Sequence, residues 1–261
     1  MTQPFLDKWL PQLNSIVAYA RSRPLLTTVA ISAIPLLSHA IASYRGFIAV
    51  GRGGIPNNIF GWLIQLAGQP IGWRNMTSLE PYHDPKAIAQ FGPHGRKSFL
   101  GDAPLPQRRG DRPEVPTYVA PQRQTSETCR EADVERLNLI LADVANQNSD
   151  LLAIRNSVLE LKDSMALWLN VDVVSPPSYL ARATKGELFH VHHEGSAHTI
   201  LSLADAEAAV RQGWAQRHKL SGVTLPLSYV LIYAPRDDDE VQIWRRFVGA
   251  AVGFAAANLG K

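Results

Sequence analysis

Residues 187–203 read ELFHVHHEGSAHTILSL. Two short runs with strand-like composition flank Glu194-Gly195-Ser196, so the pattern predicts a β-hairpin around a glycine-containing turn. Ser202 and Asp205 then bracket the start of ADAEAAVRQG as a capping box, which predicts a short helix to about Gln212 with Gly213 as its stop. SYVLIYA at 228–234 is apolar on both faces and reads as a central strand ended by Pro235. Asp237, Asp238, Asp239 and Glu240 load the positive end of a last helix, whose inner face is Val241, Trp244, Val248, Ala251 and Ala255. The order strand, strand, helix, strand, helix predicts an α+β fold, a small antiparallel sheet with helices packed on it.

Working outward, Val134, Leu137, Leu141 and Val144 recur at helical spacing and predict an amphipathic helix over 130–147. Pro104, Pro106, Pro113, Pro116 and Pro121 forbid a helix and predict extended, linker-like chain crossing the surface. Gly51-Arg52-Gly53-Gly54 lacks the strand and helix of a phosphate loop and reads as a turn. Residues 25–42, LLTTVAISAIPLLSHAIA, carry no charge and follow Arg21 and Arg23, with Arg45 beyond. That run can just span a bilayer and is read as a single-pass anchor to an intracellular membrane, the endoplasmic reticulum or another endomembrane. Pro35 and His39 work against it, and the rivals are a cleaved signal peptide and a buried helix. A second apolar stretch, 59–73, is broken by Gly61, Gly68 and Pro70; it suits the membrane interface or a domain core. The expected division is therefore an anchor segment 1–45, an interfacial and Pro-rich segment 46–125, and an α+β domain 126–261.

The bulk composition agrees with one packed domain plus an extra segment: 261 residues, 46% hydrophobic and 19% charged. A net charge of +3 is carried by scattered basic residues with no run or motif, so no nucleic-acid partner is expected. One cysteine, Cys129, excludes an intrachain disulfide and a multi-cysteine metal site.

Five of the eight histidines lie between 190 and 218. His190 and His192 share one strand face. If the loop is Glu194, Gly195 and Ser196, His192 faces His198 across the hairpin and three imidazoles share one patch; a slip of one residue would break it. Such a cluster can act as a general base or proton network. It can instead bind Zn or Fe through His190, His192 and His198, or its members can simply hydrogen-bond one another.

The hairpin, followed by GWAQRHKLSG at 213–222 and YVLIYAPRDDDEV at 229–241, resembles the fungal luciferase family, in which equivalent His-x-His, Gln-Arg-His and Tyr-Ala-Pro-Arg blocks follow in that order. LPQRRGDRP at 105–113 and PQRQ at 121–124 resemble upstream elements of the same family, and the apolar N-terminus resembles its anchor. Ala215 and Lys219 depart from its pattern. The resemblance implies an oxygenase that combines O2 with an enolic, 3-hydroxyhispidin-like pyrone, with or without light, and without flavin or nicotinamide. His190, His192, His198, His218 and Arg217 are then the candidate catalytic residues. Trp214, Tyr233, Arg112, Arg123 and Glu187 are candidate contacts to a flat aromatic or pyrone substrate. No cofactor is expected, although a divalent metal at the histidines stays open. The alternatives are a non-luminous metal-dependent or hydrolytic enzyme and a membrane-tethered small-molecule binding domain.

Overall fold

A computed structural model describes residues 3–160 and 164–259. The chain divides into two compact units, 1–49 and 50–261, so the boundary expected near residue 125 does not separate compact bodies. The first unit carries α1 (Gln3–Ser22) and most of α2 (Pro24–Val50). Pro35 sits inside α2, and the apolar window of that helix is unburied. Its 27 residues, at ~1.5 Å rise each, give roughly 40 Å of helix, enough to cross a bilayer.

In the second unit, α3 (Ile59–Gly68) is capped by Asn58, whose side chain accepts from the Phe60 and Gly61 amides. It is followed by α4 (Pro85–Ala89) and α5 (Glu131–Gln147). The remaining elements are β1 (Leu152–Asn156), β2 (Met165–Leu169), α6 (Ser178–Ala183), β3 (Glu187–Val191), β4 (Ala197–Ile200), α7 (Leu203–Arg211), β5 (Ala215–Arg217), β6 (Tyr229–Ile232) and α8 (Asp238–Ala257). Six described strands form one antiparallel sheet in the order β1-β2-β3-β4-β6-β5. The fold is α+β.

Local signals in the sequence translate directly. Ser202 accepts from the Asp205 amide at the start of α7, and Gly213 takes a positive φ of 83° just past its end. Asp237 caps α8 through the Glu240 amide. One face of the sheet meets the helices: Phe189 on β3 packs edge-on against Trp244 of α8 at 4.9 Å, and Leu137, Ile140 and Leu141 of α5 join the same buried core. β1, β2 and β5 were not anticipated. β5 has only three residues, too few for a visible alternation.

The hairpin loop is one residue earlier than expected. His192 pairs with Ser196 through its amide, leaving His193, Glu194 and Gly195 as the loop, with Gly195 at φ 95°. His190, not His192, therefore faces His198. The partner of His198 moves by two residues, and a two-residue shift keeps every side chain on its face.

The Pro-rich segment is helix-free but is not surface linker throughout. Pro121, Gln122, Arg123 and Gln124 are all buried. Gln124 donates to the Ser126 and Glu127 carbonyls and accepts from the Ala234 amide, so this stretch is laced into the domain. Among the buried polar groups it supplies is Arg108, whose guanidinium pairs with Glu240 and donates to the Ala234 carbonyl.

Candidate active site

The sheet face opposite the core helices carries the histidines. His190 and His192 project from β3 and its extension, His198 from β4, and His218 from the residue after β5, where its amide bonds the Tyr229 carbonyl. Ring centroids lie 5.2 Å apart for His190 and His192, 5.5 Å for His190 and His198, 4.9 Å for His192 and His198, and 5.1 Å for His198 and His218. Tyr229 stacks on His198 at 4.9 Å and 20°. All four imidazoles are buried.

Each ring is oriented by one outer partner. His190 Nδ1 is 2.5 Å from Glu187 Oε1, and that carboxylate also accepts from Ser157 Oγ at 2.9 Å and the Val158 amide at 2.8 Å. His192 Nδ1 is 2.9 Å from Ser196 Oγ, whose own hydrogen goes to Glu194. His198 Nδ1 is 3.2 Å from the Val230 carbonyl. A carbonyl can only accept, a carboxylate already taking two donors accepts again, and Ser196 has spent its hydrogen; so these three rings donate from Nδ1, and a neutral ring so held presents Nε2 as a lone pair. His218 is the reverse. Its Nδ1 accepts from the Leu220 amide at 3.0 Å, so Nε2 carries the hydrogen.

Burial keeps His192, His198 and His218 neutral. It pushes His192 and His198 well below the ordinary imidazole value, with further depression from neighbouring histidines, and brings His218 down to about 3. Burial also raises the Glu194 carboxyl, against the hydrogen bond from Ser196, and lifts the Tyr229 phenol far above its usual range.

His190, His198, His218 and Tyr229 line a cavity of about 180 Å³ together with Gly53, Ile55, Pro121, Gln122, Glu160 and Leu225. This is below the ~300–1,000 Å³ of sites for drug-sized ligands. A two-ring ligand would need the loops over the sheet to part. A larger groove of about 740 Å³, lined by Cys129, Arg136 and Asp237 among others, lies elsewhere and contains none of the clustered histidines. The small cavity is the one that the clustered histidines line.

Arg123 and Glu160 close one side. Arg123 pairs with Glu160 and sets Nη1 3.0 Å from His193 Nδ1, while Glu160 Oε2 lies 3.9 Å from His192 Nε2. A Cβ on Gly53 would come within 2.6 Å of Arg123 Nη2 and 2.8 Å of Glu160 Oε1, so the glycine turn is required by the approach of this ion pair.

The other expected site residues fall outside. Arg217 does not join: alternation along β5 sends it away from His218, to donate to the Asn75 and Ser78 carbonyls beneath the Trp73 ring. Asp205 accepts from Ser98 Oγ and the Phe99 amide, and Glu187 from Ser157 Oγ and the Val158 amide, so neither is the partner of Arg217. Trp214 is core, packed near Phe247 and donating to the Pro106 carbonyl at 2.6 Å. Tyr233 hydrogen-bonds Gln216 at 3.2 Å under the Arg108 guanidinium, and Arg112 ties the Val210 and Ala215 carbonyls together. Of residues 213–218, only His218 lines the cavity. Glu187 reaches the site as the partner of His190 rather than as a surface open to substrate. Glu160 was missed because it lies in a loop with no motif; Tyr229 was legible in principle, sharing sheet-face parity with His198.

Residues 185–251 match the family model of the luciferase domain. Over 244 residues the chain is 26% identical to a luciferase of Neonothopanus nambi, covering 87% of each chain. It is 27% identical over 248 residues to luciferases of Armillaria mellea and Armillaria ostoyae, covering 90% of this chain and 89% of theirs. No solved structure matches it. The matched segment holds all four clustered histidines and Glu187, and the chain is similar to fungal luciferases along most of its length.

Proposed function

We propose that this protein is an oxygenase of the fungal luciferase type, which combines O2 with an enolic, 3-hydroxyhispidin-like pyrone and is held at an intracellular membrane by α2. The observation that carries this reading is the buried patch of four imidazoles, of which His190, His198 and His218 line a single cavity, with lone pairs and one N–H turned inward. His198 takes the enol proton on Nε2. The enolate so formed is electron-rich and adds O2, and the negative charge that develops on oxygen meets the His218 Nε2–H, with Arg123 as the nearby fixed cation. The apolar walls Ile55, Leu159 and Leu225 exclude water from that charge. No flavin or nicotinamide enters the scheme.

Support for the membrane assignment comes from the length and apolarity of α2 and from Arg21 and Arg23 before it. The test is to incubate the purified full-length protein in detergent with hydroxylated pyrones in air and to follow oxygen uptake and photons together. Uptake that depends on both pyrone and His198 supports the reading, and light marks the luminous form of it. Pyrone binding without oxygen consumption would leave a binding domain and overturn the oxygenase.

A further inference from the structure

We infer that Glu160, His190 and His192 form a binding site for one divalent first-row transition-metal ion, with His198 beside it as the nearest additional imidazole. One ligand atom from each of the three residues lies within 4.8 Å of the other two. Two imidazoles and one carboxylate on one side of an ion are the donor set of non-haem iron sites, with positions left open for other ligands.

Proximity alone is a weak argument, because clustered histidines can satisfy each other. Here they do not. His190 Nε2 is buried with no hydrogen-bond partner, an unfavourable position unless something fills it. The hydrogen bonds from His190 Nδ1 to Glu187 and from His192 Nδ1 to Ser196 leave both Nε2 atoms as lone pairs. Three inward lone pairs, counting that of His198, cannot bond one another, since none has a hydrogen to give. A cation resolves this. The carboxylate behind His190 and the Ser196–Glu194 pair behind His192 are the outer partners that fix ring orientation in metal sites.

Glu160 is delivered by the same network. Ser157 Oγ donates to Glu187 and accepts from the Leu159 and Glu160 amides at 3.1 and 3.0 Å, so one hydroxyl links the support of His190 to the turn bearing Glu160. Arg123 engages Oε1 of Glu160, while Oε2 is the oxygen nearer His192. With bonds of ~2.1 Å an ion sets neighbouring ligands about 3 Å apart, so the three groups would draw together by roughly an ångström or two.

The inference deepens the oxygenase reading of this cavity, but its test does not depend on turnover. Full-length protein, purified without chelator, is assayed for bound metals by mass spectrometry. Apo protein is then titrated anaerobically with Mn(II), followed by electron paramagnetic resonance. One ion per chain is expected, with affinity weakened at least about tenfold in Glu160→Gln and in His192→Gln and unchanged in His94→Ala. Circular dichroism checks that each variant is folded, and the near-isosteric Glu160→Gln carries the test if the histidine variant is not. Failure of Mn(II) to bind stoichiometrically, or binding by folded Glu160→Gln within twofold of the parent, overturns the metal site. A bound ion without any oxygen uptake overturns the oxygenase reading and leaves the metal site intact.

Discussion

His190 Nδ1 stands 2.5 Å from Glu187 Oε1, although three residues of regular strand would put the two side chains on opposite faces. A bulge makes the contact possible. His190 pairs with Ala166 and Phe189 with Leu167, but Trp168 pairs with Glu187, so β3 carries one extra residue and its alternation is reset. Glu187 thereby turns onto the histidine face and holds both His190 and Ser157.

Replacing Glu187 with Gln keeps the volume and removes the anionic acceptor. The expected outcome is a loss of about 10–100-fold in turnover, the scale for removing an outer partner of a reactive or ligating histidine. Steady-state oxygen uptake, corrected for folded fraction, measures it; unchanged uptake would show that His190 needs no orienting carboxylate.

Arg217 and His218 are adjacent but should separate cleanly. Arg217→Gln leaves the Asn75 and Ser78 carbonyls without their charged donor, so a stability loss of roughly 1–3 kcal/mol is expected, with activity per folded molecule retained. His218→Ala should do the reverse and abolish turnover with a small change in Tm. Thermal melts read beside activity distinguish them. A catalytic Arg217 would show as lost turnover at unchanged Tm.

Gly53→Ala tests the ion pair. Its backbone is not in the left-handed region, so the cost is the collision with Arg123 and Glu160 alone. Displacement of Glu160 should lower turnover at least about tenfold, whereas Gly101→Ala, with nothing near its missing Cβ, should lose only stability through its positive φ of 85°. Similar activity loss in both variants would refute the steric account.

Acid stability should depend on Glu240. Burial opposes its ionisation, but hydrogen bonds from Arg236 and Arg108 outweigh it and hold the carboxyl below the usual carboxylate value. A depressed folded pKa stabilises the protein above the unfolded value near 4.3, and that contribution fades as pH falls through the folded one. Urea unfolding from pH 7 to pH 3 should therefore show a shallower acid loss in Glu240→Gln than in the parent, starting from a less stable protein. Parallel curves would rule this out.

Removing residues 1–49 should release the protein from membranes and leave the sheet folded, because that segment forms its own compact unit and carries the apolar helix. Sedimentation at high salt reads the first outcome and circular dichroism the second. Persistent pelleting would move the anchor to α3, whose Phe60 is 69% exposed.

The hairpin, the capped helix 203–211, the strand before Pro235 and the last helix could be read from sequence alone, since caps, turns and periodicity act within a few residues. So could the gathering of His190, His192 and His198, because strand parity fixes the face even when the register is misjudged by two residues. What tertiary structure alone decided was the rest of the site. Glu160 arrives from a loop, Arg123 from a buried segment that composition marked as linker, and Gly53 from a turn whose need for glycine lies in a pair more than 60 residues away. Arg217 and His218 look equivalent as a sequence pair, yet one residue of alternation sends the second into the cavity and the first into a cage of carbonyls. Local chemistry determined which groups face together; the bulge and the long-range packing determined which partners hold them.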